Sequence, residues 1–114
     1  MAYQSSLDGL FHALADPSRR AMVMQLVEGP ARVSDLAAPL PMSLPSVLQH
    51  LGVLEAAGLV ESEKRGRTRI CRLAPDRLAE IESWAVAQRQ RWERRFDRLD
   101  AVLHAQRGDE DGSE

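Results

Sequence analysis

Ser43, Pro45, Ser46, Gln49 and His50 fall between the apolar positions Val47, Leu48, Leu51 and Leu54 of one short segment. Hydroxyl, amide and imidazole groups on the outer side of a helix match the donors and acceptors that base edges show in the major groove of duplex DNA. A carboxamide such as Gln49 can pair bidentately with adenine, and a hydroxyl or imidazole suits a base or a phosphate. A second cluster lies downstream. Between positions 63 and 72 stand Lys64, Arg65, Arg67, Arg69 and Arg72 against Glu63 alone. Cations gathered at a turn suit phosphates, and arginine suits the enhanced negative potential of a narrow minor groove.

Other chemistry is poorly supplied. Cys71 is the single cysteine, so one chain can form neither an internal disulfide nor a cysteine-based zinc site. It alternates with Leu73 along one strand, which suits a small core residue better than a redox switch. His12, His50 and His104 lie on three different helical segments without i,i+4 pairing, so no metal site is expected. The chain shows no glycine-rich phosphate loop, no nucleophile elbow and no histidine with a carboxylate partner by local spacing. Neither an enzyme nor a cofactor is expected.

These groups must be held by a frame, and the apolar periodicity outlines it. Leu7, Leu10, Phe11 and Leu14 form one stripe on a helix over residues 5–15. Asp16-Pro17 restarts the chain as N-cap and first helical residue, and the next helix turns Met22, Val23, Leu26 and Val27 inward before Gly29-Pro30. A short helix over 33–38 buries Leu36 and is limited by Pro39 and Pro41. Ser43 caps the helix that turns Val47, Leu48, Leu51 and Leu54 inward and ends at Gly58. Strands are predicted over 59–64 and 68–73, joined at Arg65-Gly66-Arg67. Pro75 opens a long helix carrying Leu78, Ile81, Ala85, Trp92, Phe96, Leu99 and Leu103 in steps of three and four, close to a heptad seam.

With 114 residues the chain is about one domain, 1–107, followed by an acidic tail, 108–114, expected to be disordered. The net charge of −2 hides its distribution, because four of the 17 acidic residues fall in the last seven positions. Three of the five aromatics, Trp84, Trp92 and Phe96, lie in the late helix and suit a packing seam. The start, MAYQSSLDGL, has neither the basic nor the apolar region of a signal peptide, and no stretch approaches a membrane span. The expected location is the cytoplasm, with no membrane contact.

The stretches FHALADPSRRAMVMQL (11–26) and VSDLAAPLPMSLPSVLQHLGVLEAAGLVESEKRGRTRICRL (33–73) together resemble the ArsR family of bacterial winged-helix repressors. The resemblance covers about residues 5–105 and rests on ALADPSRR, MSLPSV and the GRTRICRL wing taken together. It implies a mainly α winged helix-turn-helix with a two-stranded β-wing and a long C-terminal dimerisation helix. It further implies a homodimeric repressor binding an inverted repeat in double-stranded DNA and released by a signal. The dimer surface implied is Leu7, Leu10, Phe11, Leu78, Ile81, Ala85, Trp92, Phe96, Leu99 and Leu103. Members that sense metals carry a cysteine pair in the segment that here reads RVSDLAA, or ligand pairs along the final helix, where only His104 stands. The chain therefore resembles the branch without the metal motif, and the alternative is a metal- or redox-responsive sensor on the same scaffold. No small-molecule effector is identified.

Overall fold

The computed structural model describes the backbone of residues 2–112 and the side chains of residues 6–107. The elements are α1 (Ala2–Leu14), α2 (Pro17–Val27), β1 (Ala31–Arg32), α3 (Val33–Ala37), α4 (Leu44–Ala56), β2 (Val60–Arg65), β3 (Thr68–Leu73) and α5 (Pro75–Gly112). They form two compact units, Met1–Ile81 and Glu82–Glu114.

In the first unit, local chemistry sets each boundary. The Asp16 carboxylate accepts from the amides of Ser18 at 2.8 Å and Arg19 at 3.1 Å, and Pro17 needs no partner at the first helical position. The following pair of arginines closes the preceding helix. Arg19 Nε donates to the Ala13 carbonyl at 2.6 Å and its Nη2 to the His12 carbonyl at 3.0 Å, while Arg20 Nη1 donates to the carbonyls of Leu14 and Ala15. The DPSRR run thus starts α2 and satisfies the open C-terminal carbonyls of α1 in the same turn.

Helix α4 starts at Ser43, whose Oγ accepts weakly from the Ser46 amide at 3.4 Å. It ends in paired reverse bonds, Gly58 N to Glu55 O at 2.9 Å and Leu59 N to Leu54 O at 3.0 Å. This Schellman closure requires the left-handed φ of +79° that Gly58 adopts, and it brings buried Leu59 against buried Leu54.

The sheet is antiparallel in the order β1-β3-β2, with Glu63 opposite Ile70 and Arg65 opposite Thr68. Gly66 and Arg67 form the two-residue tip. Gly66 takes φ +62° and Arg67 does not, the pattern of a type II′ hairpin turn. The sequence predicts two strands; the third, β1, pairs Ala31 with Cys71 and Arg32 with Ile70.

The core gathers Leu7, Leu10 and Ala13 of α1, Met22, Val23 and Leu26 of α2, Leu36 of α3, Val47, Leu51 and Leu54 of α4, and Leu59, Val60 and Cys71 of the sheet. Two expectations are corrected here. Leu48 is 47 % exposed and Val27 61 % exposed, because Val47, Leu51 and Leu54 on one helix and Met22, Val23 and Leu26 on the other already fill the inward faces.

The second unit is helical through Gly112. Arg89 pairs with Glu93 and Asp100 with His104, each at 3.4 Å and i,i+4, and the second pair corrects the expectation that no histidine has a carboxylate partner by local spacing.

Candidate nucleic-acid interface

Helix α4 sorts its side chains into three sectors. Val47, Leu51 and Leu54 point into the core. Pro45, Gln49 and Gly52, half a helical repeat away, are exposed. Leu44 and Leu48 lie along one flank, while Ser46 and His50 lie half-buried along the other. Of the residues singled out in the sequence, Ser43, Pro45 and Gln49 are therefore open to an approaching duplex. Ser46 is partly engaged, since the Ser43 hydroxyl donates to its Oγ at 3.1 Å.

His50 is held from behind. Its Nδ1 lies 3.2 Å from Arg19 Nη1, and a guanidinium only donates, so Nδ1 accepts and the ring proton sits on Nε2. Arg19 thereby ties α4 to the α1–α2 corner. Asp16 sits in the same network. The backbone amide of Arg19 lowers its carboxyl pKa against a smaller opposing effect of burial, helped by the Ser18 amide and the charge of Arg19.

The wing presents its cations unequally. Lys64, Arg65, Arg67 and Arg69 are all exposed. Arg65 lies 3.6 Å from Glu63, and Arg72 is held by Glu61 at 2.8 Å. Arg69 donates to Ser62 Oγ at 2.8 Å, and that hydroxyl donates to Glu55 at 2.6 Å, so Arg69 is tethered back toward the end of α4. Among the described residues, Lys64 and Arg67 have no ion-pair partner, which leaves Arg67 at the tip free for an external anion.

Between helix and wing runs a groove of about 310 Å³ lined by Arg32, Val33, Ser34, Leu44, Leu48, Arg67, Thr68 and Arg69. Helix α4 and the wing tip therefore border one surface. Leu44, Leu48 and Arg32 were not singled out from the sequence. The available signal was the apolar surplus on α4, which carries more leucines than one inward stripe can bury.

The expected dimer residues divide. Leu7 and Leu10 are a correction: they are 5 % and 0 % exposed within a single chain, consumed by the protomer's own core. Leu78 and Ile81 pack half-buried against that core, and Phe11 is exposed. In the second unit Ala85, Trp92, Phe96, Leu99 and Leu103 are exposed, with the rings of Trp92 and Phe96 stacked at 5.4 Å. Cys71 is fully buried, and burial followed by the charge of Glu55 raises its thiol pKa. Among the described residues no group of three or more histidine, cysteine, aspartate or glutamate side chains is placed to hold a metal ion. No described helix is long and apolar enough to cross a membrane.

A helix-turn-helix whose second helix is exposed at its N-terminal half, followed by a hairpin tipped with cations, is a winged helix-turn-helix. Residues 16–62 match the bacterial regulatory proteins of the arsR family. The chain is 43 % identical over 83 residues to the HTH-type transcriptional regulator Rv2034 of Mycobacterium tuberculosis, covering 73 % of this chain and 78 % of that one. It is 46 % identical over 78 residues to the HTH-type transcriptional repressor SmtB of the same organism, a match spanning 68 % of this chain and 58 % of SmtB. Among solved structures, the ArsR family transcriptional regulator RHA00566 superposes with a TM-score of 0.76 at 42 % identity, covering 79 % of this chain and 93 % of that one. The homodimeric winged helix-turn-helix DNA-binding domain Mb0332 of Mycobacterium bovis shares the fold, with a TM-score of 0.64 at 24 % identity over 78 % of this chain and 84 % of that one. The chain belongs to the arsR family and is a DNA-binding transcriptional regulator.

Proposed function

We propose that the protein is a homodimeric repressor acting in the cytoplasm on an imperfect inverted repeat. Helix α4 enters the major groove with Pro45 and Gln49 foremost, supported by Ser43, Ser46 and His50. Lys64, Arg65 and Arg67 meet the adjoining backbone or minor groove, and Arg69 joins them only by leaving Ser62. The observation that carries this reading is the shared groove, which sets Leu48, the neighbour of Gln49, across from Arg67. Dimerisation runs through the exposed stripe Trp92, Phe96, Leu99 and Leu103, together with Phe11, Leu78, Ile81 and Ala85. The description of the Mb0332 domain as a homodimer, and the name repressor for SmtB, support the two-fold arrangement and the sign of regulation. Two recognition helices would then read half-sites about 10 bp apart. Repression follows from occupancy of promoter DNA.

Selection of bound fragments from random DNA at stated salt tests the proposal and yields the half-site. On the selected duplex, Gln49→Ala is expected to lose about 1–3 kcal/mol of discrimination at one base pair. Arg67→Ala is expected to weaken binding to all sequences and flatten the salt dependence by about 0.9 log unit per log unit of salt. If neither substitution changes binding, these residues are not the interface.

A further inference from the structure

Leu44 and Leu48 are 53 % and 47 % exposed, stand one turn apart on α4, and flank the residue placed to read bases. Neither contributes to the buried core, which Val47, Leu51 and Leu54 complete from the same helix. Their neighbours across the groove are cationic: Arg32, Arg67 and Arg69, with half-buried Val33 extending the apolar floor. Among the described residues, Arg32 and Arg67 have no ion-pair partner. A strip of methyl groups bordered by unpaired guanidinium groups fits a polyanion that also presents methyl groups. Duplex DNA is such a partner. Thymine alone among the four bases displays an apolar substituent, its C5-methyl, on the major-groove edge.

We propose that Leu44 and Leu48 are specificity-determining residues that recognise thymine methyl groups on the wing side of the half-site, while Arg32 and Arg67 hold the flanking phosphates. This rests on the DNA-binding surface described above and extends it. The half-site is then rich in A·T pairs for two separate reasons: Gln49 selects adenine through N6 and N7, and the leucine pair selects thymine through a carbon atom. Leu48 supplies no hydrogen bond, so its preference is blind to cytosine methylated at C5, which offers the same methyl group.

The test uses the full-length protein and the duplex selected from random DNA. Each thymine of a half-site is replaced in turn by deoxyuridine, which removes one methyl and nothing else. The wild-type protein is expected to lose about fourfold in affinity at each contacted thymine, the equivalent of about 0.8 kcal/mol for one buried carbon. Leu48→Ala, an exposed change to a strong helix former, is expected to bind the thymine duplex more weakly and to abolish the loss at one position while keeping it at another. Leu44→Ala abolishes it at the second. A wild-type protein that binds the selected duplex but is indifferent to deoxyuridine at every position overturns the inference and leaves the DNA-binding surface standing. Retention of every loss in the Leu44→Ala/Leu48→Ala double variant also overturns it. Failure of the wild-type protein to select any duplex overturns the interface itself.

Discussion

Arg19 Nη1 lies 3.2 Å from His50 Nδ1, while the same guanidinium donates to the carbonyls of His12 and Ala13. One side chain therefore closes α1 and fixes the far flank of α4. Arg19→Ala removes three hydrogen bonds made by a charged donor and leaves the end of α1 open. The expected destabilisation is about 2–3 kcal/mol, seen as a lower urea midpoint at unchanged m-value. Arg19→Lys is expected to recover only part of it, because an ammonium cannot span the three acceptors as a planar fork does.

Asp16 gives the fold a specific acid sensitivity. Its native pKa lies below the ordinary value of 3.8, chiefly through the Arg19 amide. A depressed native pKa means that the carboxylate stabilises the fold fully above the ordinary value. That contribution is lost as pH falls through 3.8 toward the lower native value, and it is absent below both. Asp16→Asn keeps an N-cap acceptor without the titration. Urea midpoints of this variant are expected to fall less steeply on acidification than those of the wild type, with the difference confined to the acid limb.

Trp92 and Phe96 are 64 % and 53 % exposed and stacked on each other. Two aromatic rings on the outside of a charged helix are costly in water and suit the centre of an interface. Trp92→Ala is expected to weaken self-association by 2 kcal/mol or more, about 30-fold, in sedimentation velocity. DNA affinity is expected to fall with it, because a lone protomer grips only one half-site. A wild-type protein that sediments as a monomer at micromolar concentration removes the basis for the two-fold operator.

Cys71 tests the sensor alternative. It is fully buried, and burial raises its pKa, so little thiolate forms. Iodoacetamide is expected to label it only after unfolding, and peroxide is expected to leave DNA binding unchanged. Cys71→Ser places a polar hydroxyl in the fully buried core and is expected to cost about 1–3 kcal/mol. Rapid native-state labelling would return the thiol to consideration as a switch.

Much of this structure is legible in the sequence where the determinant is local. Asp16, Ser43, Gly58 and Gly66 each act within four residues, so caps and turns can be read from residue type. The misses share a cause. A helix stripe reveals that a face meets something apolar, but not what. Leu7 and Leu10 meet their own chain, while Leu48 meets solvent, and only the three-dimensional count of filled core positions separates the cases. Strand β1 is two residues long and exists because Cys71 and Ile70 stand opposite, a partner nearly forty positions away.

Because β1 occupies the outer edge beside β3, the hairpin is not a free arm. It is fastened to the body at Ile70 and Cys71 of its second strand, like a fin held at its base rather than a flap. On the proposed interface, a duplex that touches both α4 and the fin is expected to do more of the adjusting than the protein does. The energy of that distortion varies with base steps that no side chain reaches. If the proposed interface holds, stiffness in the protein is expected to show as sequence preference at positions of the bound DNA that no side chain touches.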